Sequence, residues 1–184
     1  MRRWLTSIAF VLAAGAVVAQ APPPLPAGPY TYLVIGLFSP DREKDLRTAF
    51  DELPDFKLVK VDFADAEVTV EFTPAKLFPG QKAERVTELV SDKLRGASGH
   101  TFSLKPRRTV SRDKLQEVVI PAAGLDCKAC CLAAYEAIAP IDGVEQATAS
   151  FKDGRVTALI DPARTDRGKI EDALKKRGVK LDKK

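Results

Sequence analysis

The chain repeats itself. Displaced by 88 positions, "GLFSPDREKDLRTAFDELPDFKLVKVDFADAEVTVEFTPA" from Gly36 lies over "GLDCKACCLAAYEAIAPIDGVEQATASFKDGRVTALIDPA" from Gly124 without a gap. Few residues are identical, but the apolar positions coincide. Leu46, Phe50 and Leu53 fall at i, i+4 and i+7, one face of a helix, and Ala134, Ile138 and Ile141 do the same in the second copy. Val68, Val70 and Phe72 alternate as a half-buried strand does, and so do Val156, Ala158 and Ile160. Matching helix and strand faces at one fixed offset make the chain two copies of one folding unit.

Each copy reads as strand, helix, strand, strand, helix, strand. In the first the elements are expected at about 30–37, 40–53, 56–63, 66–72, 82–95 and 100–104. Ser39 is placed to cap the first helix, and Pro40 suits its first position. An extra half-dozen residues around "KLFPGQ" precede the second helix. In the second copy the elements are expected at about 115–121, 128–139, 144–151, 154–160, 166–177 and 179–182, with Asp153-Gly154 turning the central hairpin. This order predicts an α+β chain of two tandem ferredoxin-like (βαββαβ) domains, each an antiparallel sheet with both helices on one face. The first domain is expected over 30–104 and the second over 115–184, joined by a linker at 105–114.

The start of the chain bears on the compartment. "MRRWLTSIAFVLAAGAVVA" sets Arg2 and Arg3 before an apolar run, with small residues at Val17 and Ala19, the layout of a cleavable signal peptide cut after Ala19. The uninterrupted apolar core, residues 8–19, is shorter than the roughly 20 residues of a spanning helix. No membrane span is expected after cleavage, and a periplasmic or secreted location follows. Residues 20–29, "QAPPPLPAGP", form a proline-rich linker. Charge then says little. The 29 Lys and Arg less the two at the start leave 27 against 25 Asp and Glu, near +2, too little for a nucleic-acid binder. The basic pieces "KPRR" at 105–108 and "KKRG" at 175–178 read as a solvated linker and a helix C-terminus.

All three cysteines lie within five positions, in "CKACC" at 127–131. Cys127 belongs to the loop after the first strand of the second copy, and Cys130 to the start of its helix. A two-residue gap at such a junction lets two sulfurs converge on one ion, and the helix N-terminus favours thiolates. Two thiolates select Cu(I), and also Hg(II), Zn(II) or Cd(II), over hard ions. They are too few for a closed structural zinc, which takes four ligands. An open pair suits a metal that is handed on.

With "GLDCKAC" at 124–130, "GV" at 143–144 and "VTALIDPA" at 156–163, residues 115–182 resemble the heavy-metal-associated domain family. That family comprises soft-metal chaperones, periplasmic mercury-binding proteins and the N-terminal domains of metal-transporting ATPases. The resemblance implies that Cys127 and Cys130 are metal ligands, that the cargo is Cu(I) or Hg(II), and that a metal-transporting ATPase or an efflux or uptake system is the partner. Leu125 stands where the family has methionine, a position expected to pack under the loop. Cys131 is additional. It is a candidate third thiolate, although the next residue along a helix points about 100° away. In the first copy Ser39 and Arg42 replace the two cysteines, so that copy keeps the fold without metal ligands and reads as a docking or spacing module.

Other residues are weaker candidates. His100, the single histidine, reads as a surface residue at a strand start. Tyr135 reads as partly buried packing. No carboxylate pair framed by apolar residues and no glycine-rich phosphate loop points to an enzyme. Two alternatives stay open beside the carrier: a scaffold with vestigial or disulfide-bonded cysteines, and a thiol redox protein.

Overall fold

The computed structural model describes residues 25–108 and 110–182, so the expected signal peptide and residues 20–24 of the proline-rich linker lie outside the described residues. The first domain runs β1 (Gly28–Ile35), α1 (Arg42–Asp51), β2 (Lys57–Asp62), β3 (Glu67–Phe72), α2 (Pro74–Leu77), α3 (Ala83–Ala97) and β4 (Ser103–Pro106). A short 3-10 turn, Arg112–Lys114, follows. The second runs β5 (Gln116–Ala123), α4 (Lys128–Ile138), β6 (Val144–Ser150), β7 (Arg155–Ile160), α5 (Arg167–Lys176) and β8 (Lys180–Leu181). Their sheets have the orders β2-β3-β1-β4 and β6-β7-β5-β8, antiparallel throughout. This is the tandem ferredoxin-like arrangement. β5 and β7 are β1 and β3 displaced by the same 88 positions that align the sequence.

Periodicity explains the elements. Leu46 and Phe50 of α1 and Ala134 and Ile138 of α4 are buried, as are Val68, Val70 and Phe72 of β3 and Val156, Ala158 and Ile160 of β7. Each sheet therefore buries alternate residues under its helices, the pattern that period-two strands and period-3.6 helices impose. α2 is additional to the expected order and lies in the insertion beside "KLFPGQ".

Three local expectations are corrected. α1 begins at Arg42 behind Asp41, and Ser39 makes no capping bond to it. The Ser39 hydroxyl instead donates to the Asp41 carboxylate. Pro40 accordingly lies in the turn before the helix, where the Arg42 N–H bonds the Ser39 carbonyl at 3.0 Å. His100 is exposed in a turn with φ +65°, and the strand it was expected to begin starts at Ser103. The expected linker start, 105–106, belongs to β4, and Arg108 is not solvated, its side chain being only 7% exposed.

The cores differ in grain. The first is aromatic, with Phe50, Phe56, Phe72 and Phe102. The second is built largely of small residues, including Ala122, Ala134, Ala147, Ala149 and Ala158, and its one phenylalanine is Phe38, supplied by the first domain. Phe38 is 4% exposed, and its ring centroid lies 5.7 Å from that of Tyr135. Its carbonyl accepts the Ala149 N–H at 3.1 Å, on the outer side of the edge strand β6. The Gln146 side chain donates to the Phe63 carbonyl at 3.1 Å. The loops at 36–41 and 63–66 thus cover the β6 edge, which would otherwise present unpaired backbone groups.

Gly143 shows how closely the second domain is built. Its φ is +85°, and an added Cβ would stand 2.7 Å from the Arg164 Cβ. Gly143→Ala is expected to cost about 1–3 kcal/mol through the strained backbone. Urea unfolding monitored by circular dichroism measures it, and an unchanged midpoint would contradict the reading.

Candidate metal centre

β5 ends at Ala123, and Gly124, with φ +79°, turns the chain into the loop that carries Cys127. Leu125 anchors that loop from below, being 4% exposed within the second core, which is the packing role expected of it. Cys127 is the N-cap of α4, and its Sγ accepts the Cys130 N–H at 3.1 Å. A sulfur at this position replaces the capping oxygen of a serine or aspartate and faces the positive end of the helix. Cys127 and Cys130 are joined as a disulfide with their Cα atoms 5.1 Å apart. The two sulfurs therefore converge at the start of α4, Cys127 exposed at its N-cap and Cys130 half-buried in its first turn.

Cys131 is placed apart from the pair. It is 2% exposed, and its Sγ faces the Leu125 carbonyl at 3.8 Å inside the domain. Burial pushes its thiol pKa up, with a smaller opposing contribution from a backbone hydrogen bond at Phe151. A neutral, inward-facing thiol is a poor third ligand, so the candidate third thiolate is a core residue by its geometry. Among the described residues no cluster of three or more Cys, His, Asp or Glu side chains is assembled for a metal. Two sulfurs make an under-coordinated donor set, which fits a soft ion of low coordination number and not a closed four-ligand zinc.

Charge around the pair comes from both domains. Lys128, between the two cysteines, pairs its Nζ with Asp41 Oδ2 of the first domain at 2.8 Å. The Lys128 hydrogen bond, with help from Ser39, holds the Asp41 carboxyl below its usual range, and Asp41 in turn raises the Lys128 pKa. Seven residues further along α4, the Tyr135 Oη accepts the Gly36 N–H at 2.7 Å in a buried contact. Burial pushes the Tyr135 phenol up, partly offset by that bond. Tyr135 is therefore more than the packing residue expected from sequence, because it bonds the loop equivalent to its own cysteine loop. Phe38 and Asp41 escaped the sequence reading. The signal that could have found Phe38 was the alignment itself, which sets an aromatic residue opposite the exposed Asp126.

Ser39 and Arg42 occupy the positions of the two cysteines in the first domain and provide no sulfur. Arg42 instead lies over the rings of Phe38 and Phe102, 5.4 and 5.2 Å from their centroids. Among the described residues no helix is long and apolar enough to cross a membrane.

No family model and no curated protein matches the chain. Solved structures do. The CopZ metallochaperone is 24% identical, with 36% of this chain and 100% of that one covered at a TM-score of 0.36. Oxidized MerP from Ralstonia metallidurans is 25% identical over 37% of this chain and 94% of that one, TM-score 0.35. The water-soluble region of the P-type ATPase CopA from Bacillus subtilis spans both domains, covering 87% of this chain and 94% of that one at 17% identity and TM-score 0.35. The likenesses thus include chains the length of one domain and chains the length of two.

Proposed function

We propose that this chain, two heavy-metal-associated-like domains of which only the second keeps a C-x-x-C pair, is an extracytoplasmic carrier or sensor of a soft metal. Cu(I) is the first choice, with Hg(II) or Zn(II) as alternatives, held between the Sγ atoms of Cys127 and Cys130. The observation that carries this reading is the convergence of those sulfurs at the exposed N-terminus of α4, one of them capping the helix. The signal-like start supports the location, and a metal-transporting ATPase or an efflux or uptake system suits the cargo as partner.

The chemistry follows from the pair. As a disulfide it offers no thiolates. Two electrons and two protons convert it to two thiols, and one Cu(I) bound between the sulfurs displaces both protons. The helix N-terminus lowers the cost of the resulting negative charge. Binding therefore weakens as pH falls, because protons compete for the same sulfurs. The fold covers one flank of α4 with the first domain yet leaves the cysteine loop exposed, so an incoming sulfur of a partner has a path to the metal.

The test is an anaerobic Cu(I) titration against a chromophoric competitor, on protein reduced and freed of reductant and on the oxidised form. One equivalent is expected to bind tightly to the first and none to the second. Absence of binding by the reduced protein sinks the carrier. The Cys127–Cys130 pairing favours one second reading, thiol–disulfide cycling. It would gain if the reduced protein bound no metal and the couple had a potential in the oxidoreductase range, roughly −270 to −120 mV.

A further inference from the structure

A cavity of about 350 Å³ lies between the two domains, on the side of β1 and the start of β6. Its walls come from Leu33 of the first domain, from Ile141 and Val144 of the second, and from Lys105 and Arg108 of the segment that joins them. The side chain of Arg108 is 93% buried. Its Nη2 donates to the Asp65 carbonyl, while Nε and Nη1 are buried with no hydrogen-bond partner among the described residues. A guanidinium cannot shed its proton, so the unmade bonds stand in a desolvated place, and the charge is met only at 4.0 Å by a carboxylate, Asp65, that it shares with Arg112.

The acidic groups nearby are already engaged. Asp65 Oδ1 is 4.0 Å from Arg108 Nη1, but it is in direct contact with Arg112, so one carboxylate faces two guanidinium groups. Arg164 holds both Asp142 and Glu145 at the far wall, and Arg107 bonds Glu67 at 2.9 Å. A water molecule in the cavity could take up the free N–H groups and would leave the charge unbalanced. An anion does both.

We infer that this interdomain cavity binds a small organic acid, its anionic oxygen against the Arg108 guanidinium and its apolar part against Leu33, Ile141 and Val144. The volume is at the lower end of the roughly 300–1,000 Å³ of small-molecule sites, and the lining mixes apolar side chains with charged ones, of which Arg108 keeps two buried N–H groups without a partner and Asp142 and Glu145 are held by Arg164. Lys105, exposed at the rim, adds attraction for the anion. Because the walls belong to both domains, the bound acid braces one domain against the other. The inference does not depend on the metal reading, and metal-free protein suffices to test it.

Isothermal titration of the full chain at constant ionic strength, with hexanoate, acetate and inorganic phosphate as probes, tests the site. Amide NMR shifts locate it. Hexanoate is expected to saturate at one equivalent, more tightly than acetate or phosphate, and to shift amides around Leu33, Ile141 and Val144. Arg108→Met is expected to weaken hexanoate by about tenfold or more, and Arg108→Lys, which keeps the charge, by less. Arg155→Ala, on the exposed hairpin outside the cavity, should leave it unchanged. No saturable binding by the wild-type protein overturns the inference whatever the variants do. Unchanged affinity in folded Arg108→Met overturns it too, and phosphate binding more tightly than hexanoate would exclude an organic acid as the ligand.

Discussion

Cys130→Ser is expected to abolish tight Cu(I) binding while leaving the fold intact. Cys130 is half-buried in the first turn of α4 and lies outside the buried core, so the change removes a donor and little packing. Structural metal sites of about four ligands yield apparent binding free energies of about 10–16 kcal/mol, or about 3 kcal/mol per ligand. Loss of one of two thiolates should therefore weaken the metal by at least about a hundredfold. Cys127→Ser should do the same, even though serine can take over its role as helix cap. Cys131→Ser should leave metal affinity within about threefold. It should lower stability, because it places a more polar hydroxyl in a core position whose acceptor, the Leu125 carbonyl, stands at 3.8 Å from the thiol. Competition titration and thermal unfolding of the three variants separate these effects. If Cys131→Ser lost metal as the other two do, the inward-facing sulfur would have to turn outward on binding, and a two-thiolate site would be wrong.

The architecture was legible in this sequence because it is written twice. One offset of 88 positions places β1 on β5 and β3 on β7, and the buried faces of α1 and α4 follow the apolar periodicity. Leu125 under the loop and the cysteines at the helix start were equally readable, since local chain order fixes both. What could not be read lies between the copies. Gly36, Phe38 and Asp41 lie in the loop between β1 and α1, where the sequence places Gly36 in the first strand and Asp41 in the first helix, and their burial or pairing depends on the other domain. Arg108 is the sharpest case. "KPRR" reads as a solvated stretch by composition, but the approach of the domains encloses one guanidinium of the four residues. Periodicity reports on one element against its own core and carries no information on a contact between residues 99 positions apart, such as Gly36 with Tyr135.

That contact leads to the second large effect. Phe38→Ala should destabilise the second domain although the residue belongs to the first. The second core has no other phenylalanine and is rich in alanine, so the ring of Phe38 fills space that small side chains cannot close over. Truncating a buried phenylalanine typically costs about 3–5 kcal/mol, transfer and cavity terms together. For a domain of this size that lowers the melting temperature by on the order of 10 °C or more. The loss should also change the form of unfolding. With Phe38 in place, and with the Ala149 and Tyr135 hydrogen bonds holding its loop, the two domains should melt as one unit. Phe38→Ala should split calorimetric unfolding into two transitions, the lower one being the cysteine-bearing domain, whereas Phe38→Leu should keep one transition at a modestly lower temperature. A single transition unchanged in Phe38→Ala would mean that the ring contributes nothing across the interface. The split bears on the metal site as well, because Asp41 and Lys128 can pair only while the loop stays docked. Freed of that loop, α4 would expose the Tyr135 flank beside the cysteines, so the alanine variant should bind Cu(I) with the wild-type stoichiometry while its cysteine-bearing domain unfolds independently.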